Sequence, residues 1–142
     1  MNAALARYLA VDYGRKRIGL AISDTIGMIA SPAGFIVRRE GKRAPIAEII
    51  RRATALEAAG YLMGLPLDGE GEETEWTAEI RSVGAEIAKR TGLPVRFLDE
   101  RFTTAAALRT MKEIGESTRG RKGDVDALAA TILLQHALNV PD

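Results

Sequence analysis

The apolar positions of this 142-residue chain fall into short continuous runs and longer stretches with helical spacing. Bounded by turn residues, the short runs predict five strands, at residues 8–11, 18–23, 35–37, 61–65 and 95–98. The third strand is expected to follow a loop around Ser31-Pro32. The stretches with helical spacing predict four helices, at residues 45–59, 76–91, about 104–114 and 124–138.

The order of these elements is β-β-β-α-β-α-β-α-α. A three-stranded meander followed by alternating helices and strands predicts a mixed five-stranded sheet of the α/β class, with helices on both faces. Neither a repeat nor a linker divides the chain, so we expect one domain over residues 1–142. The 46% apolar and 27% charged content is ordinary for a globular protein.

Composition restricts the chemistry that the chain can perform. There is no cysteine and only one histidine, His136, so thiolate zinc sites, disulfides and multi-histidine sites are not expected. Any metal should be a hard, oxygen-liganded ion such as Mg²⁺ or Mn²⁺. No stretch resembles a signal peptide or approaches the roughly 20 apolar residues of a membrane span, which predicts a cytoplasmic protein that does not bind membranes.

Acidic residues stand at the ends of distant apolar runs. Asp12 ends the first strand, Asp99 and Glu100 end the fifth, and Asp126 opens the last helix. Carboxylates brought together in this way repel one another unless a divalent cation or a basic partner compensates them, which favours metal-assisted phosphodiester chemistry. The alternatives are structural: Asp12 could cap the following turn, and Asp126 could favour the helix dipole.

Strand alternation separates the two neighbouring acids. On a regular strand, Asp99 shares a face with Phe97, and Glu100 shares the opposite face with Leu98. Only one of the two carboxylates should therefore point into a site. Phe97 resembles a core residue, but a strand end can splay, so the alternation alone leaves both residues open.

Basic residues cluster in three short segments, Arg15-Lys16-Arg17, residues 38–43 and residues 119–122, on a chain of net charge +1. Such segments can form a phosphate-binding face, or they can be solvated loops that keep the protein soluble. Trp76 belongs to a helical apolar stripe and is expected to pack rather than stack on bases. Recognition of a substrate should then depend on its phosphates and its shape.

Four motifs in order resemble those of the YqgF/RuvX family: residues 11–19, Gly64-Leu65-Pro66 with Asp68-Gly69, residues 99–104 and residues 126–130. The similarity spans nearly the whole chain, and the predicted element order is that of the RNase H-like fold. Members of this family are described as nucleases linked to maturation of the 5′ end of pre-16S ribosomal RNA, and as Holliday-junction-resolvase-like.

The resemblance implies roles for the acidic residues, and residue chemistry suggests roles for their basic and polar neighbours. Asp12, Glu100 and Asp126 would be the catalytic metal ligands for Mg²⁺ or Mn²⁺, with Asp99 as a supporting acceptor or a partner of Arg101. Arg101 could bind the scissile phosphate through its planar fork, or form only a surface salt bridge. The remaining candidates for substrate binding are Thr103, Thr104, Arg15, Lys16, Arg119, Arg121 and Lys122.

The leading hypothesis is thus a metal-dependent hydrolase, a nuclease acting in ribosome biogenesis on RNA, within or near a pre-ribosomal particle. A Holliday junction resolvase acting on branched DNA and a non-catalytic RNA-binding assembly factor are the alternatives. Sugar-kinase and actin-like ATPases share the opening motif, but they need two such domains. The sequence leaves monomer and homodimer open.

Overall fold

The computed structural model describes residues 7–39, 41–105 and 122–140, without the side chains of residues 102 and 122–124. Five strands are present in this part of the chain: β1 Tyr8–Tyr13, β2 Arg17–Ser23, β3 Ala30–Val37, β4 Gly60–Leu65 and β5 Val95–Asp99. The helices are α1 Ile46–Ala55, α2 Glu75–Thr91 and α3 Lys122–Asn139, and a short 3-10 helix, Glu100–Phe102, follows β5.

The strands form one mixed sheet in the order β3-β2-β1-β4-β5. β1, β2 and β3 pair antiparallel as a meander, whereas β4 lies parallel to both β1 and β5. Parallel neighbours need crossover connections, which α1 and α2 supply. The predicted mixed five-stranded sheet is confirmed.

Side-chain alternation divides the sheet between two hydrophobic layers. On one face, residues such as Leu9, Val11 and Met63 pack with the buried residues of α1 and α2. On the other face, Ala10 and Leu62 pack against α3. Helices therefore cover both faces, as predicted, and the even-numbered positions of β1 look toward α3.

The third strand is longer than the sequence suggests. Ser31 and Pro32 lie within β3, where they pair with Ile22 and Ala21, instead of forming the expected loop. β3 is an edge strand, so Pro32 can occupy it without removing a ladder hydrogen bond from a central strand. The register also shifts between Gly19 and Ala21, as at a β-bulge.

Helix ends mostly follow the predicted signals, but α1 ends at Ala55, four residues before the predicted end at residue 59. The side chain of Thr74 caps α2 by accepting from the backbone N–H of Thr77, and Gly92 ends the helix in the left-handed conformation. α3 begins at Lys122, two residues before the predicted start at Asp124. The helix expected at 104–114 is seen only at Thr104 and Ala105, since residues 106–121 lie outside the described ranges. No helix in those ranges is long and apolar enough to cross a membrane.

Candidate active site

Asp12 lies between two glycines in the middle of the sheet. It is fully buried near the end of β1 and pairs across the antiparallel ladder with Gly19 of β2. On its other side, Met63 of β4 pairs with Val11, so the next residue, Gly64, follows beside Asp12. Two neighbours without side chains leave space on the α3 face of the sheet around the Asp12 carboxylate.

Asp126 occupies the space above Gly19. A Cβ atom at Gly19 would stand 2.0 Å from the backbone carbonyl oxygen of Asp126, so the first turns of α3 rest directly on β2. The Asp126 side chain is completely buried. The close approach of helix and strand therefore brings the third predicted acid to the same face as Asp12.

Glu100 occupies the space above Gly64. A Cβ atom at Gly64 would lie 2.9 Å from Cγ and Cδ of Glu100 and 2.9 Å from Leu133 of α3. Glu100 is 1% exposed, which is unusual for a glutamate. Asp12, Glu100 and Asp126 thus lie on one face of the sheet. The two glycines that flank Asp12 leave the space for the other two residues.

The structure separates the faces of Asp99 and Glu100. Phe97 packs with the α1 and α2 layer, whereas Leu98 packs with the α3 layer, as strand alternation predicts. Glu100 shares the face of Leu98 and therefore that of Asp12. Asp99 remains partly exposed and accepts hydrogen bonds from the side chain of Arg101 at 2.8 to 3.1 Å.

Arg101 forms the salt bridge with Asp99 that the sequence left as an alternative to phosphate binding. This contact is the main reason that the pKa of Asp99 lies below its ordinary value. The Arg101 side chain is 32% exposed, and its guanidinium lies close to Gly71 in the loop after β4. A partly exposed guanidinium beside the carboxylate face can still reach a phosphate that arrives from solvent.

The two threonines have different surroundings. The Thr103 hydroxyl donates to the carbonyl oxygen of Glu100 at 3.1 Å and accepts from the backbone N–H of Ala105 at 3.2 Å. It therefore fastens the chain that follows Glu100, as the expected helix cap would. Thr104 is exposed.

The β1–β2 turn carries an exposed basic pair. The Arg15 guanidinium lies 4.1 Å from the centre of the Trp76 ring, and Trp76 lies 5.6 Å from the ring of Tyr13. Trp76 thus packs on the core, as predicted, while it also supports Arg15. Lys16 is exposed. Of the third basic segment, Arg119 and Arg121 lie outside the described residues, as does the side chain of Lys122.

Sequence reasoning missed a residue at the centre of this site. Nε of Arg17 donates to Oδ2 of Asp126 at 2.9 Å, and only 13% of the Arg17 side chain is exposed. The sequence marks Arg17 only as part of the basic segment Arg15-Lys16-Arg17. Arg17 stands two residues before Gly19, which places both on the same face of β2, but nothing in the sequence marks Asp126 as its partner.

The donor atoms suit a hard cation, but their arrangement is incomplete. Three buried carboxylates offer the oxygen ligands that Mg²⁺ and Mn²⁺ prefer. Within the described ranges, however, no three His, Asp or Glu side chains are placed to hold one ion together. The assignment of Asp12, Glu100 and Asp126 as metal ligands stays a prediction.

Solved structures share this fold. Thermus thermophilus RuvC in complex with a Holliday junction substrate aligns over 94% of this chain and 93% of its own, with a TM-score of 0.57 and 16% identity. Fowlpox virus resolvase, solved with Holliday junction DNA, aligns over 94% of this chain and 99% of its own, with a TM-score of 0.56 and 10% identity. The predicted RNase H-like fold is confirmed.

Sequence relatives are closer. A protein of Clavibacter michiganensis subsp. michiganensis is 39% identical over 94% of this chain and 83% of the relative, and one of Rickettsia bellii is 37% identical over 94% and 86%. Both bear the name "Putative pre-16S rRNA nuclease". The sequence model of RuvX, described as Holliday junction resolvase, matches residues 6–140. The chain belongs to the RuvX family.

Proposed function

We propose that this protein is a divalent-metal-dependent nuclease that hydrolyses a phosphodiester bond in the 5′ leader of pre-16S ribosomal RNA. The proposal rests on three buried carboxylates that share one face of the sheet. Asp12, Glu100 and Asp126 are each at most 1% exposed and lie on one side of one sheet. So many buried carboxylates at one place are costly to a fold unless they serve a cation or a reaction.

In this proposal the three carboxylates hold Mg²⁺ or Mn²⁺. A bound ion of this kind supplies an activated water and neutralises charge on the phosphate. The chain itself keeps these side chains out of bulk solvent, with Gly19 and Gly64 giving them room and Thr103 fixing the backbone after Glu100.

Substrate phosphates would meet the basic residues at the rim. Arg101 is partly exposed next to Glu100 in the chain, and Arg15 and Lys16 project from the β1–β2 turn that follows Asp12. Their guanidinium and ammonium groups suit phosphate oxygens, so binding should weaken with salt. Arg119, Arg121 and Lys122 precede Asp126 in the sequence and are proposed to add to this surface.

We favour ribosomal RNA as the substrate because the relatives bear the name of a pre-16S rRNA nuclease. The description of the RuvX family favours a second candidate, cleavage of a Holliday junction. A resolvase must cut two symmetric strands, which requires a two-fold dimer, whereas trimming an RNA end does not. A monomer in solution would therefore argue against the resolvase independently of activity, whereas a dimer is compatible with both candidates.

The test is a cleavage assay with purified protein on 16S RNA carrying its 5′ leader and on a synthetic four-way DNA junction. We expect cleavage of the RNA leader with Mg²⁺ or Mn²⁺, no cleavage with excess chelator, and loss of cleavage in Glu100→Gln and Asp126→Asn. Cleavage of the junction alone, by a dimer, would establish the resolvase function instead.

Binding of the RNA without cleavage under any of these conditions would identify an assembly factor. Such a factor would keep the RNase H-like fold but have no catalytic activity. Adding the small ribosomal subunit precursor to the same assay shows whether a pre-ribosomal particle is the required form of the substrate.

A further inference from the structure

The Arg17–Asp126 pair involves one of the three carboxylates that are proposed to hold the metal. Asp126 is fully buried, and the Arg17 guanidinium contacts its Oδ2 atom at 2.9 Å. A buried carboxylate requires a compensating positive charge. In the protein without metal, Arg17 provides such a charge.

The position of Arg17 is fixed by the strand that carries it. Its backbone pairs with Val37 of β3, and Gly19, two residues further along β2, touches the backbone of Asp126. Two residues along a strand span roughly 6.6 Å, the reach of an extended arginine side chain. The contact therefore follows from the close packing of α3 on β2.

We propose that Arg17 is a positioning residue that holds Asp126 in the metal-free protein, and that a divalent cation must displace it to complete the site. This inference rests on the metal dependence in the proposed function. A cation bound to the carboxylates would place a second positive charge beside the guanidinium, and like charges at short range repel. Arg17 and the cation therefore compete for Asp126.

Competition of this kind is reciprocal. If the Arg17–Asp126 contact lowers the affinity for the metal by some factor, bound metal weakens the contact by the same factor. Removing the guanidinium should consequently have two opposite effects. The metal-free protein loses stability, because buried Asp126 loses the guanidinium that contacts it, whereas the affinity for a divalent cation increases.

The test measures Mn²⁺ binding to the full chain by calorimetry, together with the melting temperature with and without Mg²⁺. For Arg17→Gln we expect Mn²⁺ affinity at least about fivefold above wild type, the lower end of usual coupling between sites. We also expect a lower melting temperature without metal and a larger rise on adding Mg²⁺, because the stabilisation by a ligand increases with the logarithm of its affinity. Arg17→Lys, which keeps the charge, should stay near wild type.

Arg90→Gln is the matched control. Arg90 donates to Glu86 through the same atom, Nε, at 2.8 Å, but this pair is exposed on α2. Its removal should leave Mn²⁺ affinity unchanged. Arg17→Gln binding Mn²⁺ no more tightly than wild type would overturn the role of Arg17 and leave the metal dependence intact. Absence of Mn²⁺ binding in every variant, wild type included, would overturn both.

A second measurement does not depend on the Arg17→Gln variant being folded. The Nε–H signal of Arg17 in wild-type protein, assigned by its absence in Arg17→Lys, is followed by NMR during a Mg²⁺ titration. We expect it to move toward the position of solvent-exposed arginines as Mg²⁺ saturates. An Arg17 signal that stays in place while Mg²⁺ binds would contradict the displacement.

Discussion

Gly19 and Asp126 are in direct backbone contact: a Cβ atom on Gly19 would stand 2.0 Å from the Asp126 carbonyl oxygen and 3.0 Å from its Cα. No side chain fits in that interval. Because Gly19 is also the ladder partner of Asp12, one glycine fixes how α3 and β1 approach each other. The candidate active site therefore depends on a residue that has no functional group.

The first prediction concerns this contact. Gly19→Ala should lower the free energy of unfolding by about 3 kcal/mol or more, because backbone atoms cannot yield as side chains do. Chemical denaturation measures the loss. Gly69→Ala is the control, since nothing lies within 4 Å of the Cβ position there. Equal stability of the two variants would show that α3 does not rest on β2 in this way.

The second prediction separates the two neighbouring acids. Glu100→Gln should reduce the cleavage rate by more than about 100-fold, a loss larger than that usually caused by residues supporting a metal site. Asp99→Asn, which weakens only the partly exposed contact with Arg101, should reduce the rate by less than about tenfold. Steady-state rates on the RNA substrate provide the comparison. The reverse order of effects would mean that Asp99 is the functional acid.

Strand alternation predicts that Asp99 and Glu100 lie on opposite faces of the sheet, but it leaves open which of them enters the site. The alternation of Phe97 and Leu98 continues through the strand end, and the structure places Glu100 accordingly. The sequence does not, by contrast, mark Ser31-Pro32 as part of β3. Proline argues against a strand in general, and its tolerance at a sheet edge becomes apparent only when the strand order is known.

Arg17 illustrates a different limit of sequence reasoning. Its partner, Asp126, lies 109 residues further along the chain, and no local pattern links the two. The pairing depends on how closely α3 packs on β2, which is a tertiary property. The acids could be found because each ends or begins an element, whereas the basic residue that meets one of them could not.

The third prediction concerns Arg15. Arg15→Gln should weaken RNA binding by up to about fivefold, since it removes a guanidinium that is held against Trp76 and an exposed ion pair, here with a phosphate, is worth about 1 kcal/mol or less. The rate of cleavage of bound RNA should not change. Arg81→Gln is a matched control, because Arg81 also lies over an aromatic ring, that of Phe97, but belongs to α2 and not to the β1–β2 turn. If both variants bind RNA equally well, the turn does not contact substrate.

The fourth prediction concerns the basic segment before α3. Changing Arg119, Arg121 and Lys122 together to Ala should weaken RNA affinity and flatten its salt dependence, by about 0.7 in log–log slope for each lost contact to single-stranded RNA. Fluorescence anisotropy at several salt concentrations measures both. Lys89→Ala with Arg90→Ala, at the end of α2, serves as the control. A triple variant with wild-type slope would show that the segment is only a solvated connection.

Asp12→Asn tests most directly whether the buried carboxylates around Asp12 are required for cleavage. Single-turnover cleavage of leader-bearing 16S RNA is measured with saturating Mg²⁺, beside Asp24→Asn. Asp24 is an acid whose Oδ1 atom accepts from backbone N–H groups of an exposed turn. We expect Asp12→Asn to remain folded, bind RNA as wild type does and cleave more than about 100-fold more slowly, while Asp24→Asn cleaves normally. Cleavage by Asp12→Asn at the wild-type rate would contradict the account.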